Sequence, residues 1–237
     1  MCKIEFNLNL LRIGKPKKQL LIKGINFNLD KNNKIVALIG ESGLGKTTIY
    51  KSLFSTYINL WNKQYPIDFK CNHKIKNCLY SDKEIKDGIV KLNFGFATQV
   101  PYFFEDKSVE YNLFFPLKWI KEIKDTEEFR KKYLQKFELT ELGSMEMNLL
   151  SGGQRQMVNI ARVFLSNPDL VIIDESLSNI DEKKAEKYIQ LILENYKNTF
   201  IFLTSHREAD INYCKALKIN LVKKKDESGV EYITIVK

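Results

Sequence analysis

Alternating apolar and polar residues open the chain. Between Ile4 and Leu10 every second residue is apolar, and the residues between them are polar. The same alternation returns from Ile25 to Leu29, before a polar turn at 31–34. A period of two is typical of strands with one buried face. Two such strands so close in sequence predict an antiparallel β layer at the N-terminus.

The next strand-like segments are apolar throughout. Residues 35–39, 170–173 and 200–203 form continuous apolar runs, which are typical of strands buried on both faces of a parallel sheet. Amphipathic helical periods lie between these runs, for example over 185–193. Buried strands that alternate with helices predict an α/β fold with a parallel sheet.

The remaining patterns complete the predicted architecture. Residues 105–150 are charged and helical in pattern, without a buried strand, and we predict an α-helical subdomain of about 105–165 inserted into the α/β core. Residues 217–222 and 230–236, with a polar turn between them, predict a terminal β-hairpin. Residues 1–237 are therefore expected to form a single domain.

Composition limits the classes of protein. The 237 residues include 38 Lys and Arg against 29 Asp and Glu, a formal net charge of +9. Because the basic residues are scattered, we interpret them as solvated surface charge and expect no nucleic-acid partner. No apolar run reaches the roughly 18 residues that span a bilayer, and the N-terminus lacks the apolar stretch of a signal peptide. We therefore expect a cytoplasmic protein.

The four cysteines are too few for a disulfide scaffold in a chain of this length, so reduced thiols are expected. Cys71, His73 and Cys78 lie close together in sequence. Their spacing matches no zinc pattern, and a fourth ligand is missing. We predict no metal site there.

A glycine-rich segment follows the first buried strand. Residues 40–47 read GESGLGKT and match G-x-x-x-x-G-K-[ST] between a predicted strand and a predicted helix. Such a loop directs backbone N–H groups at phosphate oxygens, with Lys46 at the β- and γ-phosphates and the Thr47 hydroxyl on Mg²⁺. The predicted nucleotide-binding residues are Gly40, Glu41, Ser42, Gly43, Leu44, Gly45, Lys46, Thr47 and Thr48.

The run 170–173 leads into two carboxylates. Unpaired carboxylates are costly to bury, so a cation at this strand end would explain both. Asp174 is predicted to hold Mg²⁺ through water. Glu175 is predicted to polarise the water that attacks the γ-phosphate. Taken alone, the pattern also fits an ordinary strand end at a solvated edge.

A second helix start combines serine with glycines. Residues 150–154 read LSGGQ and lead into an amphipathic helix, which makes another candidate anion site. The residues concerned are Ser151, Gly152, Gly153 and Gln154. Two such loops of one chain do not easily serve the same γ-phosphate. We therefore predict a head-to-tail dimer in which each chain completes the site of the other.

Along the chain these motifs follow in the order 40–47, 150–154 and 170–175, and in that order the chain resembles the nucleotide-binding domains of the ATP-binding cassette (ABC) ATPases. Walker A, the LSGGQ signature and the Walker B strand LVIIDE are all matched. The resemblance implies that Gln99 senses Mg²⁺ and the γ-phosphate, that Asp181 ends the D-loop and that His206, in FLTSHRE, contacts the γ-phosphate. It implies an Mg²⁺-dependent ATP hydrolase with Lys46, Gln99, Glu175 and His206 as catalytic residues.

The same resemblance implies the P-loop NTPase core, the metal ligands and the partners. Thr47, Gln99 and Asp174 are the expected Mg²⁺ ligands. Stand-alone cassettes of the family form homodimers, or pair with another ABC ATPase subunit, beneath separate transmembrane permease subunits. We therefore expect a transporter subunit that is peripheral on the cytoplasmic face of the cell membrane. The alternative is a soluble ABC ATPase of Fe–S assembly or nucleic-acid work.

The chain departs from the family pattern at several positions. The region that usually supplies an adenine-stacking aromatic reads LLRIGKPKKQ, with Arg12 or Ile13 nearest, so weak discrimination of adenine is expected, unless Phe6 supplies the stack. Ser176 stands at the position of a usual proline. Residues 108–117 are similar to the Q-loop helix of lipoprotein-release and macrolide-export ATPases. Large apolar residues between 100 and 119 predict an exposed patch beside Gln99 for the membrane partner.

Overall fold

The computed structural model describes residues 4–15, 18–53, 67–75, 78–87, 93–120, 122–205, 209–212 and 215–236. The chain divides into two compact units, which are described in turn. The first unit comprises residues 1–92 and 215–237, and the second comprises residues 93–214. The single domain of 1–237 and the limits of an inserted subdomain at about 105–165 stay predictions.

The elements follow one another along the described residues as strands and short helices. The strands are β1 (Ile4–Lys15), β2 (Lys18–Leu29), β3 (Ile35–Ile39), β4 (Ile67–Ile75), β5 (Cys78–Ser81), β6 (Phe94–Ala97), β7 (Leu170–Asp174), β8 (Phe200–Ser205), β9 (Leu217–Lys225) and β10 (Glu231–Ile235). The α-helices are α1 (Lys46–Lys51), α2 (Asp82–Lys86), α3 (Val109–Phe114), α4 (Glu127–Lys136), α5 (Gly152–Phe164), α6 (Glu182–Asn195) and α7 (Ala209–Asn212). Single 3-10 turns lie at Phe115–Lys118, Thr140–Leu142 and Met147–Leu149.

In the first unit the strands lie in the order β5-β4-β1-β2-β10-β9-β3. β1 and β2 pair antiparallel from Ile4 opposite Leu29 to Lys15 opposite Lys18, which confirms the predicted antiparallel layer. β9 and β10 form the predicted terminal hairpin, and β9 pairs parallel with β3. The alternating apolar side chains of β1 and β2 are buried because one face of this layer forms the core of the unit.

The sequence patterns did not single out β4 and β5. β4 alternates as a half-buried strand should, but a histidine takes one of its core positions. His73 is fully buried, its ring stacks on Phe6 at 4.3 Å between centroids, and its Nδ1 accepts a hydrogen bond from the Asn7 backbone N–H at 3.0 Å. Phe6 also stacks on Phe27 at 4.7 Å. The polar ring is therefore part of an aromatic core.

In the second unit β8, β7 and β6 pair in that order, and all pairs are parallel. The buried strands at 170–173 and 200–203 are confirmed, and each runs slightly further than its apolar residues. Helix α5 packs directly on β6: a Cβ at Gly95 would meet Val163 Cγ1 at 2.2 Å. Between 105 and 150 the described residues contain helices and 3-10 turns and no strand.

The helical residues of the second unit pack around a core of buried aromatic side chains. Phe137, Phe164 and Tyr188 are fully buried, and the Tyr188 hydroxyl donates to the Phe137 carbonyl oxygen. Among the described residues, none of the helices has both the length and the apolar character needed to cross a membrane. The α/β fold class is confirmed.

Candidate nucleotide-binding and hydrolysis site

In the first unit, the glycine-rich loop turns between β3 and α1. Gly43 and Gly45 have φ angles of 84° and 72°, in the left-handed region that favours glycine. Gly45 is also the N-cap of α1, and a Cβ there would meet Leu20 Cδ2 at 3.1 Å. Glu41 and Ser42 are exposed beside them. Two of the predicted glycines are thus required by the backbone conformation itself.

Lys46 is the first residue of α1 and is only 5% exposed. Its Nζ donates to the carbonyl oxygens of Gly40 at 2.8 Å and Glu41 at 3.0 Å. A buried ammonium needs such partners, because its desolvation is otherwise costly. These two carbonyl oxygens therefore keep the Lys46 ammonium group at the glycine-rich loop, which is predicted to bind phosphate. Thr47 and Thr48, the next residues of α1, are half-buried.

A cavity of about 320 Å³ borders the glycine-rich loop within the first unit. Its lining includes Leu20, Glu41, Ser42, Lys223, Glu231 and Ile233. Phe6 is absent from this lining and is fully buried between Phe27 and His73. The alternative in which Phe6 supplies the missing adenine stack therefore does not hold, because its side chain lies in the core of the β layer.

In the second unit, the two carboxylates lie at the end of β7 as predicted: Asp174 is its last residue and Glu175 directly follows it. Thr204 on β8 pairs with Asp174, and its hydroxyl donates to Asp174 Oδ1 at 2.6 Å. The same Oγ1 accepts from the backbone N–H of Glu175 at 3.1 Å. Glu175 has a φ of 50°, which is uncommon for a residue other than glycine. Thr204 thus fixes both carboxylate residues at the strand end.

Gln99 lies at the same strand end of the second unit. Its Nε2 donates to Glu175 Oε2 at 3.2 Å. Three buried side chains contact the backbone of residues 97–99, namely those of Gln156, Asn159 and Ser176. The structure therefore joins the predicted catalytic pair, Gln99 and Glu175, by a direct hydrogen bond.

The signature serine begins α5. Ser151 Oγ accepts from the Gln154 backbone N–H at 3.3 Å, and Gln154 Oε1 accepts from the Ser151 backbone N–H at 2.9 Å. This reciprocal capping box gives Ser151 and Gln154 a structural task in the chain itself. Ser151 and Gly152 remain exposed at the helix start.

Gly153, the second glycine of this region, is required by a close approach. A Cβ at Gly153 would lie 2.9 Å from the backbone oxygen of Asn179, so α5 begins in contact with the segment before α6. Asp181 follows in that segment, is exposed, and caps α6 by accepting from the Lys184 N–H at 3.4 Å. The signature and the D-loop are therefore neighbours within the second unit.

The predicted residues divide between the two units. The loop at 40–48 belongs to the first unit, and Gln99, Ser151, Asp174, Glu175 and Asp181 belong to the second. His206 lies outside the described residues, so its role stays a prediction. The sequence reasoning missed Thr204, Gln156 and Asn159. Each of these polar residues interrupts an otherwise apolar strand or helix face, and this interruption could have identified them in the sequence.

Two features together define the class of protein. One is a glycine-rich loop after a buried strand, with the sequence pattern expected of a phosphate-binding loop and with Lys46 hydrogen-bonded to the loop carbonyls. The other is a pair of carboxylates at the carboxyl end of a parallel strand. Together they are typical of P-loop nucleoside triphosphatases, in which positioning and charge do most of the catalysis.

The comparisons with known proteins narrow that class. The model of the ABC transporter family matches residues 22–178. The lipoprotein-releasing system ATP-binding protein LolD of Buchnera aphidicola is 34% identical over 188 residues, 78% of this chain and 79% of that protein. The zinc import ATP-binding protein ZnuC of Rickettsia prowazekii is 30% identical over 187 residues, 78% and 69% of the two chains.

A solved structure has the same fold. It is a dimeric ATP-binding cassette in a post-hydrolysis state bound to ADP and Pi, with a TM-score of 0.64 and 23% identity. The match covers 92% of this chain and 93% of that chain. The chain therefore belongs to the ABC transporter family and is one of its ATP-binding, ATP-hydrolysing subunits. The alternative of a soluble Fe–S or nucleic-acid ATPase is not favoured by these relatives.

Proposed function

We propose that the loop at 40–48 binds the phosphates of ATP and that Glu175 is the general base of its hydrolysis. The observation that carries this proposal is the Gln99–Glu175 hydrogen bond at the end of β7. Glu175 accepts a proton from the attacking water as the water oxygen bonds to the γ-phosphorus and ADP leaves. Lys46 stabilises the charge of the transferred phosphoryl group. His206 is proposed to contact the γ-phosphate.

Mg²⁺ fits the chemistry of the expected ligands. Thr47, Gln99 and Asp174 offer hydroxyl, amide and carboxylate oxygens, which are the hard donors that Mg²⁺ prefers. Thr204 donates to one oxygen of Asp174 and so keeps this carboxylate oriented. When bound, Mg²⁺ would neutralise charge on the β- and γ-phosphates. The chain's own part is to hold these three side chains and to place Glu175 beside Gln99.

We also infer a head-to-tail pair of cassettes, as a homodimer or with a related ATPase subunit. The support is the exposure of Ser151 and Gly152 at the start of the 13-residue helix α5. A helix start of this kind favours an anion, and the loop at 40–48 already provides a phosphate site in the same chain. Ser151, Gly152, Gly153 and Gln154 of one chain would then face the γ-phosphate held by its partner, with Asp181 at the contact.

The membrane partner is proposed to be a separate transmembrane permease subunit, with this chain peripheral on the cytoplasmic face. The two relatives described above are named for different cargoes, a lipoprotein and zinc. This variety is expected if the permease recognises the cargo and the ATPase subunit supplies the energy. The chain is therefore assigned to the ATP-driven step and not to cargo binding.

The docking surface is proposed on the aromatic patch formed by Tyr102, Phe104, Tyr111, Phe115 and Trp119. Tyr102 is 87% exposed and Trp119 is 66% exposed. The rings of Phe104, Phe115 and Trp119 follow one another at 5.0 Å between centroids. An exposed apolar patch of this kind marks an interface in soluble proteins. Its occupant would be a cytoplasmic helix of the permease with an apolar face, so that partner movement reaches Gln99.

The backbone beneath this patch is held in place. Arg162 donates to the Tyr102 carbonyl oxygen at 2.9 Å and lies 4.4 Å from the ring centroid of Phe103. Burial lowers the pKa of Arg162 to about 10, so its charge persists at neutral pH. The side chain of Tyr102 is thus presented to solvent by a fixed backbone, as a docking surface requires.

Two substitutions test the hydrolytic roles. Lys46→Ala should abolish productive ATP binding, and Glu175→Gln should retain binding while turnover falls at least about 100-fold, because only the base is lost. Nucleotide binding and ATPase rate are measured on the same preparations. With ATP, Glu175→Gln should elute as a dimer in size-exclusion chromatography. Wild-type turnover in both variants would refute these roles.

The patch is tested by Tyr102→Ser, with Val236→Ser as the matched control because Val236 is an exposed apolar residue of the first unit. Tyr102→Ser should keep the ATPase activity of the isolated chain but lose co-purification with a multi-span membrane protein from native membranes. Val236→Ser should keep both. Equal recovery of the membrane protein by the two variants would place the docking surface elsewhere.

A further inference from the structure

A cluster of buried polar side chains holds the backbone that leads into Gln99. Gln156 Nε2 donates to the Gln99 carbonyl oxygen at 2.7 Å, and Asn159 Nδ2 donates to the Thr98 carbonyl oxygen at 3.1 Å. Ser176 Oγ lies 2.9 Å from the same Thr98 oxygen and 3.0 Å from the Ala97 oxygen. Gln156, Asn159 and Ser176 together form a polar clamp on this backbone.

The three members of the polar clamp are almost completely buried. Ser176 is 0% exposed, and Gln156 and Asn159 are 3% and 2% exposed. Asn159 Nδ2 also donates to Gln156 Oε1 at 3.2 Å, so the two amides are connected. Amides and hydroxyls are costly to bury unless they are hydrogen-bonded, and satisfied networks specify one local structure. The clamp therefore fixes residues 97–99 more tightly than an apolar contact would.

The polar clamp connects the backbone before Gln99 to the segment that carries Glu175. Gln156 and Asn159 come from α5, whereas Ser176 directly follows Glu175 in the chain. The Gln99 amide therefore reaches Glu175 from a backbone that is itself bonded to the residue after Glu175. A shift of residues 97–99 would therefore disturb the 3.2 Å hydrogen bond between Gln99 Nε2 and Glu175 Oε2.

We propose that Gln156, Asn159 and Ser176 are positioning residues for ATP hydrolysis, which hold Gln99 so that its amide stays on the Glu175 carboxylate. None of the three is required to touch the nucleotide. The inference rests on the proposed function, because it assigns the clamp to the Gln99–Glu175 pair. It also explains why a serine with a buried hydroxyl occupies position 176.

The test is a double-mutant cycle on turnover. Asn159→Ala and Ser176→Ala should each lower kcat about threefold to tenfold with the KM for ATP within about twofold, because positioning and not binding is lost. Gln99→Ala should lower kcat by at least as much. If the clamp acts through Gln99, adding either substitution to Gln99→Ala should lower kcat no further. Losses that multiply in the double variants would overturn the proposal.

A matched control separates positioning from stability. Thr199 is buried, and its hydroxyl donates to the Pro168 carbonyl oxygen at 2.6 Å, away from residues 97–99. Thr199→Val should lower thermal stability as much as Ser176→Ala does, yet leave kcat unchanged. Ser176→Thr, which keeps the hydroxyl, should restore kcat. If Thr199→Val loses kcat equally, or if Ser176→Thr fails to restore it, the clamp is merely structural.

The outcomes distinguish this inference from the proposed function. If Glu175→Gln turns over slowly while the clamp variants keep wild-type kcat, only the positioning role fails. If Glu175→Gln keeps wild-type turnover, the assignment of the base fails and the positioning role fails with it. Should Asn159→Ala not fold, Ser176→Ala removes a single oxygen atom and provides the same cycle.

Discussion

The glycine-rich loop of the first unit and the carboxylate end of β7 in the second unit are built in different ways. The loop is one contiguous segment, shaped by left-handed glycines and by backbone carbonyls that hold Lys46. The strand end is assembled by side-chain hydrogen bonds from four segments, at Gln99, Gln156, Ser176 and Thr204. A local motif thus depends on backbone conformation, and a dispersed one depends on packing.

The difference has consequences for substitution. In the loop, damage should come from changing φ preferences, whatever the polarity of the new side chain. At the strand end, damage should come from removing one donor or acceptor at unchanged backbone conformation. The second type of site is also more sensitive to distant changes, because α5 and β8 must both be in place for Gln99 and Glu175 to meet.

The largest expected effect compares two glycines. Gly45→Ala should lower the free energy of unfolding by about 1–3 kcal/mol and weaken ATP binding at least tenfold. The alanine would have to adopt a left-handed backbone conformation, and its Cβ would lie 3.1 Å from Leu20 Cδ2. Gly152→Ala should leave the free energy of unfolding unchanged or slightly raised, because it lies in α5 with nothing within 4 Å of an added Cβ.

Chemical denaturation of the two variants measures this difference, with ATP binding as the second readout. Equal stability of the Gly45→Ala and Gly152→Ala chains would mean that the loop relaxes around the new methyl group. The backbone account of the glycine-rich loop would then fail, although the assignment of Lys46 would stand.

The contrast between a contiguous loop and a site assembled from distant segments also explains which features the sequence could predict. The β1–β2 layer, the buried strands β3, β7 and β8 and the terminal hairpin follow from periodicity alone, because burial on one or both faces imposes it. Gly40 to Thr48 and Ser151 to Gln154 are contiguous, so pattern and spacing identify them. These elements need no knowledge of tertiary contacts.

The remaining features depend on contacts between segments that are far apart in sequence. His73 on β4 takes a core position in the first unit because it stacks on Phe6 of β1. In the second unit, Asn159 lies in an apolar helix face and bonds to Thr98, 61 positions away. Such pairings require the fold to be known, which is why periodicity does not reveal the polar clamp and why the sequence left Phe6 open as an alternative for the base stack.

The next largest effect is a loss of stability at acidic pH, which should arise from His73 in the first unit. Burial lowers the pKa of His73 from 6.5 to about 3. Its ring stays neutral in the folded chain, whereas the unfolded chain takes up a proton below about pH 6.5. Stability is therefore fully present above pH 6.5 and falls as the pH drops toward 3, by up to about 1.4 kcal/mol per pH unit.

The measurement is urea unfolding at pH 7 and pH 5 for the wild type and for His73→Gln. Glutamine offers an acceptor for the Asn7 N–H but does not titrate. The wild type should lose about 2 kcal/mol more than His73→Gln between these two pH values. An identical loss in both chains would show that the carboxylates, and not His73, determine the acid sensitivity.

The smallest expected effect is the discrimination between nucleotide bases. Phe6 is buried and unable to stack on a base, and the cavity beside the loop is lined by both apolar residues, such as Leu20 and Ile233, and charged ones, such as Lys223 and Glu231. Stacking of a base on an aromatic ring is worth roughly 1–3 kcal/mol, and a chain without such a stack loses this contribution to adenine binding. GTP should therefore compete with ATP within about tenfold, a difference of less than about 1.4 kcal/mol.

Competition of GTP and ATP for the isolated chain measures this preference, and Tyr232→Leu provides the matched variant. Tyr232 lines the same cavity, and Lys23 Nζ lies 5.0 Å from its ring centroid. If Tyr232 has no part in base recognition, its replacement by leucine should leave the GTP-to-ATP ratio unchanged. A preference for ATP of about a hundredfold that disappears in Tyr232→Leu would instead assign the stack to the terminal hairpin. In that case the first unit, like the second, would recognise its ligand through a residue that no contiguous motif reveals.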